Sequence, residues 1–416
     1  MKIKIIKKSF NEVEKISKPC HVLPKRTNFF FRTLSLIYAL PELIKAKFSF
    51  KGKIDKKGGP YFILMNHSSF IDIKIANKIL YPMPFATVCT HDALVGKAWF
   101  MRKLGCIPTK KFVSDLRLIS DIKYALDKKK TSVLMYPEAG YSFDGRATAL
   151  PENFGRLVKR LGVPVLFIKT FGAFAHDPLY NGLQIRKVPV SATISTLFTK
   201  QEIEKLDSSD ISKRIENAFN FDNFEWQKSN DIKISEPFRA DGLERILYRC
   251  AHCNVEGKMV GKGEKLTCTA CGKSYTLTQL GELVADDGVT EFSHVPDWYD
   301  WQRKCVREQL LSDEYLLETP VDIGVMCDYK GLYMVGEGVL RHDKSGFNLV
   351  GCDGALNYSQ SPTASYSLNA DYFWYEIGDT ICIGDNQRLY YCFPPKNVSV
   401  TKVRLATEEL YKIIKG

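Results

Sequence analysis

Between Tyr61 and Glu202 short apolar runs alternate with segments of helical spacing, and this alternation restricts the fold more than any other feature. "YFILMN", "SVLMYP" (132–137), "VPVLFIKT" (163–170) and "VPVSATIS" (188–195) read as strands. Ser69 to Leu80 and residues 113–128 carry apolar side chains at helical intervals. Thr199 and Glu202 form a capping box that opens a further helix. Strands alternating with helices predict an α/β domain with a largely parallel sheet. Such sheets place ligands at the carboxyl ends of their strands, where His67 and Glu138 fall.

The chain has 416 residues, enough for two or three domains. Its cysteines give the second constraint. Cys250, Cys253, Cys268 and Cys271 follow the pattern C-x2-C, fourteen residues, C-x2-C. Each pair can form a turn that presents two thiolates, and four thiolates satisfy a tetrahedral zinc ion. Gly263 and Gly272 suit the turns of two short hairpins, so residues 238–285 read as a zinc ribbon with structural Zn2+. The start, "MKIKIIKKSF", has no long apolar segment and no cleavage site. Reduced thiols or metal ligands, rather than disulfides, and a cytoplasmic setting are therefore expected for the twelve cysteines.

Beyond 286 aromatic strand-like runs are separated by turn residues, and "ATEELYKIIKG" ends the chain as a helix. Residues 286–416 are thus expected to form a β-rich domain, laid out like a pleckstrin-homology domain. The domains expected are 1–60, 61–237, 238–285 and 286–416.

Charge sets the first segment apart. Residues 1–60 hold fifteen Lys and Arg against four acids, +11 of the net +12. "NFFFRTLSLIYALPELIKAKFSF" (28–50) lies within it, too interrupted to span a membrane. Pro41 is expected to divide it into two short helices. Lys and Arg flanking amphipathic helices suit an anionic membrane surface, or one helix face against the domain core. A peripheral position on the cytoplasmic face of the membrane follows. Nucleic acid is not expected, because residues 240–280 are not strongly basic and the arm is interleaved with aliphatic side chains.

Asp72 lies in an apolar pattern five positions after His67. A buried carboxylate needs a partner. Residues five apart on one helix diverge by about 140°, so the two meet only if His67 precedes the helix and folds back, with Ser68 or Ser69 as cap. The pair would fix the imidazole tautomer, leaving Nε2 to accept a proton from a hydroxyl. The spacing serves a structural pair as well as a base.

"NHSSFID", "KLGCIPTKKF", "YPEAGYSFDG" and "GVPVLFI" occur in that order. Together they resemble the four sequence blocks of the glycerolipid acyltransferase superfamily, across roughly residues 30–235. The resemblance implies that His67 is the general base and Asp72 orients it. The acceptor hydroxyl would attack the thioester of acyl-CoA or acyl-carrier protein directly, without an acyl-enzyme. The implied product of a lysophospholipid acceptor, lysophosphatidate first, is phosphatidate. In the second block Lys111 stands where the family has an acceptor-binding arginine, with Lys110 beside it. In the third, Pro137, Glu138 and Ser142 match, whereas Ala139 replaces a glycine and Tyr141 an arginine. Arg146 is the candidate to supply the missing guanidinium, and Glu138 to organise the acceptor site. The altered third block motivates an alternative, a weakly catalytic scaffold that binds membranes or partners.

Overall fold

The computed structural model describes residues 2–113 and 115–416. Its first sheet has seven strands in the order Ser49–Lys51, Ser191–Phe198, Val165–Phe171, Phe62–Met65, Ser132–Met135, Phe85–Thr90 and Cys106–Thr109. All neighbours are parallel except Val165–Phe171 with Ser191–Phe198. The strand Phe62–Met65 is buried along its length, since side chains alternate between two covered faces. Ile63 and Met65 pack with Leu43 and Ile75 from the helices Phe29–Lys45 and Asp72–Leu80. Phe62 and Leu64 pack with Ile122, Val158 and Ile215 from helices on the other face.

Pro41 does not divide Phe29–Lys45, which is one helix capped by Asn28. Nor do the first sixty residues stand apart as an arm. Ser49–Lys51 edges the first sheet, whereas Ile5–Lys7 joins another sheet, parallel to Leu332–Met334.

The four cysteines lie on and beside a four-stranded antiparallel sheet: Met259–Lys262, Lys265–Cys268, Ser274–Leu277 and Leu283–Ala285. Gly263 takes φ +67° in the turn between the first two, a conformation that favours glycine. The helix Val295–Leu311 follows. An eight-stranded sheet comes next, antiparallel except where Ile5–Lys7 pairs. The chain closes with the helix Val400–Lys415.

These parts are not beads on a string. Phe143 and Tyr180 from the α/β part share one core with Leu266 and Tyr275 beside the cysteines, with Trp298, and with Ile323 and Leu405 of the C-terminal part. Trp298 is fully buried and donates from Nε1 to the Arg249 carbonyl at 2.9 Å. Gln302 ties the same two segments, donating to the Ile246 carbonyl and accepting the Arg249 N–H.

Candidate active site

The strand Phe62–Met65 ends at Asn66, whose carboxamide spans to Thr170 on the neighbouring strand. His67 follows at this carboxyl end. Its Nδ1 lies 3.1 Å from Oδ2 of Asp72, and Asp72 is fully buried. The helix is not capped by a serine hydroxyl. The capping runs in reverse: Oδ2 of Asp72 also accepts the backbone N–H groups of Ser68 and Ser69, at 2.8 and 3.0 Å. This closes the turn 67–72 and folds His67 back over the helix start. A carboxylate receiving Nδ1–H sets the tautomer that leaves Nε2 as the acceptor. Nε2 has no hydrogen-bond partner among the described residues. Ser69 donates to Asp177, which also meets His176 at 3.2 Å, so a second buried His–Asp pair braces the turn.

Two tyrosines enclose the imidazole. The ring of Tyr136 lies 4.2 Å from it at 24°, and that of Tyr141 lies 4.3 Å away at 39°. Aromatic faces attract a cation, so the sandwich favours the imidazolium formed when His67 takes a proton. Both tyrosines belong to the altered third block. Tyr141 occupies the position of the family's arginine, and sequence reasoning registered it only as a departure.

The other candidates are placed differently from expectation. Glu138 is buried and accepts backbone N–H groups with both oxygens, from His67 at 2.8 Å and Thr148 at 2.9 Å. It therefore ties the His67 backbone to the Thr148 backbone and is closed off from solvent. Burial pushes its carboxyl up to about 7, against the lowering effect of those two N–H groups. Ser142 is buried, with its hydroxyl bonded to the Arg146 carbonyl and the Gly145 N–H. Arg146 does not supply the missing guanidinium. It grips Asp300 through two bonds of 2.7 Å and Asp144 at 2.8 Å. Lys110 donates to the Asp385 carbonyl at 3.1 Å, and burial, with Lys18 nearby, pushes it down to about 8. Lys111 makes no hydrogen bond or ion pair with the described residues. Its charge acts on Asp371, whose carboxyl burial raises to about 6.

The sulfurs of Cys250, Cys253, Cys268 and Cys271 all lie within 4.8 Å of one another. Cys250 to Cys271 and Cys253 to Cys268 are each 3.8 Å. Four thiolates at about 2.3 Å around a tetrahedral ion stand about 3.8 Å apart. The group thus fits a metal ion, and four protein ligands leave no open coordination position.

The part of the chain that builds the His67 turn is an acyltransferase domain: residues 45–168 match the family model Acyltransferase. This match supports the resemblance to the glycerolipid acyltransferase superfamily over that part of the chain. Among solved structures it is similar to the 1-acyl-sn-glycerophosphate (LPA) acyltransferase PlsC from Thermotoga maritima. Identity there is 16% and the TM-score 0.32, over 45% of this chain and 78% of that one. No curated protein matches the chain.

Proposed function

We propose that the chain moves a fatty acyl group from an acyl thioester to a hydroxyl of a lysophospholipid, with His67 as base and Asp72 as its orienting partner. The observation that carries this reading is the buried Asp72 carboxylate on Nδ1, with Nε2 unpartnered among the described residues. Nε2 takes the proton of the acceptor hydroxyl as that oxygen attacks the thioester carbonyl carbon. The tetrahedral intermediate collapses with cleavage of the C–S bond. The imidazolium then returns its proton to the departing thiolate.

Lysophosphatidate is the first acceptor to test. Unlike Lys110, Lys111 makes no hydrogen bond or ion pair among the described residues, and a lysine binds phosphate as a point charge. The acyl donor is acyl-CoA or acyl-carrier protein. The four-cysteine group would hold structural zinc.

Docking to an anionic membrane is part of the same reading. No helix among the described residues is long and apolar enough to cross a membrane. The helix Phe29–Lys45 buries Ala39 and Leu43 while exposing Phe29, Phe30, Ile37, Tyr38 and Ile44. Trp99 and Phe100 extend this face, Phe100 lying edge-on to Phe31 at 6.2 Å. Phe70, exposed and 5.2 Å from Tyr141, carries apolar surface to the rim of the site. Apolar area flanked by lysines suits the headgroup boundary of anionic lipid.

The test is acyl transfer by the purified protein on anionic liposomes, from both donors, to lysophosphatidate and a panel of other hydroxyl acceptors. Transfer that vanishes in His67→Ala supports the reading. Absence of transfer from folded protein would refute it and favour the scaffold alternative.

A further inference from the structure

The loop Tyr136–Arg146, which carries both tyrosines that enclose His67, is bolted to the C-terminal part of the chain. At its far end Arg146 forms the two-bond pair with Asp300 on the helix Val295–Leu311. In its middle Phe143 is buried in the shared core, 4.7 Å from the ring of Tyr372. Arg404, on the helix Val400–Lys415, lies 4.5 Å from the centre of the Phe143 ring and donates to the Tyr141 carbonyl at 3.5 Å.

Arg404 is 4% exposed. A buried guanidinium is costly unless its charge and its donors are met. Glu408 meets the charge, accepting from Nε at 3.1 Å, and is itself held by Arg303 at 2.7 Å and by the Ser367 hydroxyl at 2.7 Å. Glu408 and its partners fix where Arg404 stands. One face of the guanidinium and a further N–H donor then go to Phe143 and Tyr141.

We propose that Arg404 is a positioning residue of the active site: it holds the loop through Phe143 and the Tyr141 carbonyl, so that the Tyr141 ring keeps the His67 imidazole in place. The region 286–416 is then part of the catalytic unit rather than an appended module.

The inference rests on His67 being the base, and its test includes a readout independent of turnover. In full-length protein labelled at histidine, the His67 Cε1–H resonance is assigned by its loss in His67→Gln. Ring currents from the flanking tyrosines should shift it upfield. Arg404→Met should move it downfield and lower kcat about tenfold to a hundredfold with KM little changed, since a displacement of about 1 Å at a reacting group costs up to that much. Arg307→Met removes an ion pair with Glu409 at 3.1 Å and touches neither Glu408 nor the loop. It should lower the melting temperature while leaving the resonance and kcat in place. If Arg404→Met does not fold, Arg404→Lys, which keeps the charge, is judged by the same two readouts. A folded variant at 404 with resonance and kcat unchanged would overturn the proposal. So would equal effects from both arginine positions. A wild type that transfers nothing would instead remove the acyltransfer reading, while the resonance would still report whether Arg404 places the ring.

Discussion

Glu138 reaches His67 through the backbone and not through the ring: its Oε2 accepts the His67 N–H at 2.8 Å. A buried carboxyl raised to about 7 keeps its proton in the folded protein across a range where the unfolded chain has lost it. Stability due to this group is therefore full below about pH 4.5 and is lost as pH rises towards 7. Glu138→Gln should flatten this decline. Urea unfolding at pH 5 and pH 8 checks it: the wild type should lose more stability over that interval than the variant.

His67→Ala should lower kcat about 10³-fold and Asp72→Asn about 10²-fold, the usual range for loss of a base and of its orienting group. Both should retain liposome binding, because the exposed face of Phe29–Lys45 is untouched. Steady-state kinetics beside a vesicle sedimentation assay separates the two effects.

Tyr141→Ala removes one aromatic face from His67. A lost cation–π contact of about 0.5–1 kcal/mol weakens support for the imidazolium formed as the proton is taken, so kcat should fall about twofold to fivefold. Tyr141→Phe keeps the ring and should retain the wild-type kcat in steady-state kinetics. An unchanged kcat in the alanine variant would show that the stack does not support the base.

The cysteine group should bind one zinc ion per chain, read by elemental analysis of the purified protein. Cys268→Ser should remove it and lower the melting temperature. Leu266 and Tyr275, beside the cysteines, share the core that holds Phe143, so transfer activity should fall with the metal.

Replacing Phe30 and Trp99 together by serine should weaken binding to anionic vesicles at least tenfold, since each removes exposed apolar side chain from the proposed docking face. Transfer to a water-soluble acceptor should be unaffected. Unchanged vesicle binding would place the docking surface elsewhere.

The local pattern of the chain carried much of this. Alternating apolar runs disclosed four strands of the first sheet, but not Ser49–Lys51, Phe85–Thr90 or Cys106–Thr109, none of which carries a continuous run of large apolar side chains. The spacing of His67 and Asp72 disclosed the pair because the turn that joins them closes within six residues. The cysteine spacing disclosed a group able to hold a metal, because each C-x2-C turn brings its own two sulfurs together.

What the sequence by itself determined is thus whatever a few neighbouring residues enforce. The tertiary structure decided where the remaining side chains spend their hydrogen bonds. Arg146 looked available to a substrate until Asp300, 154 positions away, took its guanidinium. Glu138 looked like an acceptor-binding group until both oxygens were filled by backbone. Arg404 showed no sign of belonging to the site, since its contact with Tyr141 spans 263 positions. Such partners are chosen by packing, because a buried charge settles where its donors and its countercharge are both satisfied, and no local pattern records which distant segment will supply them.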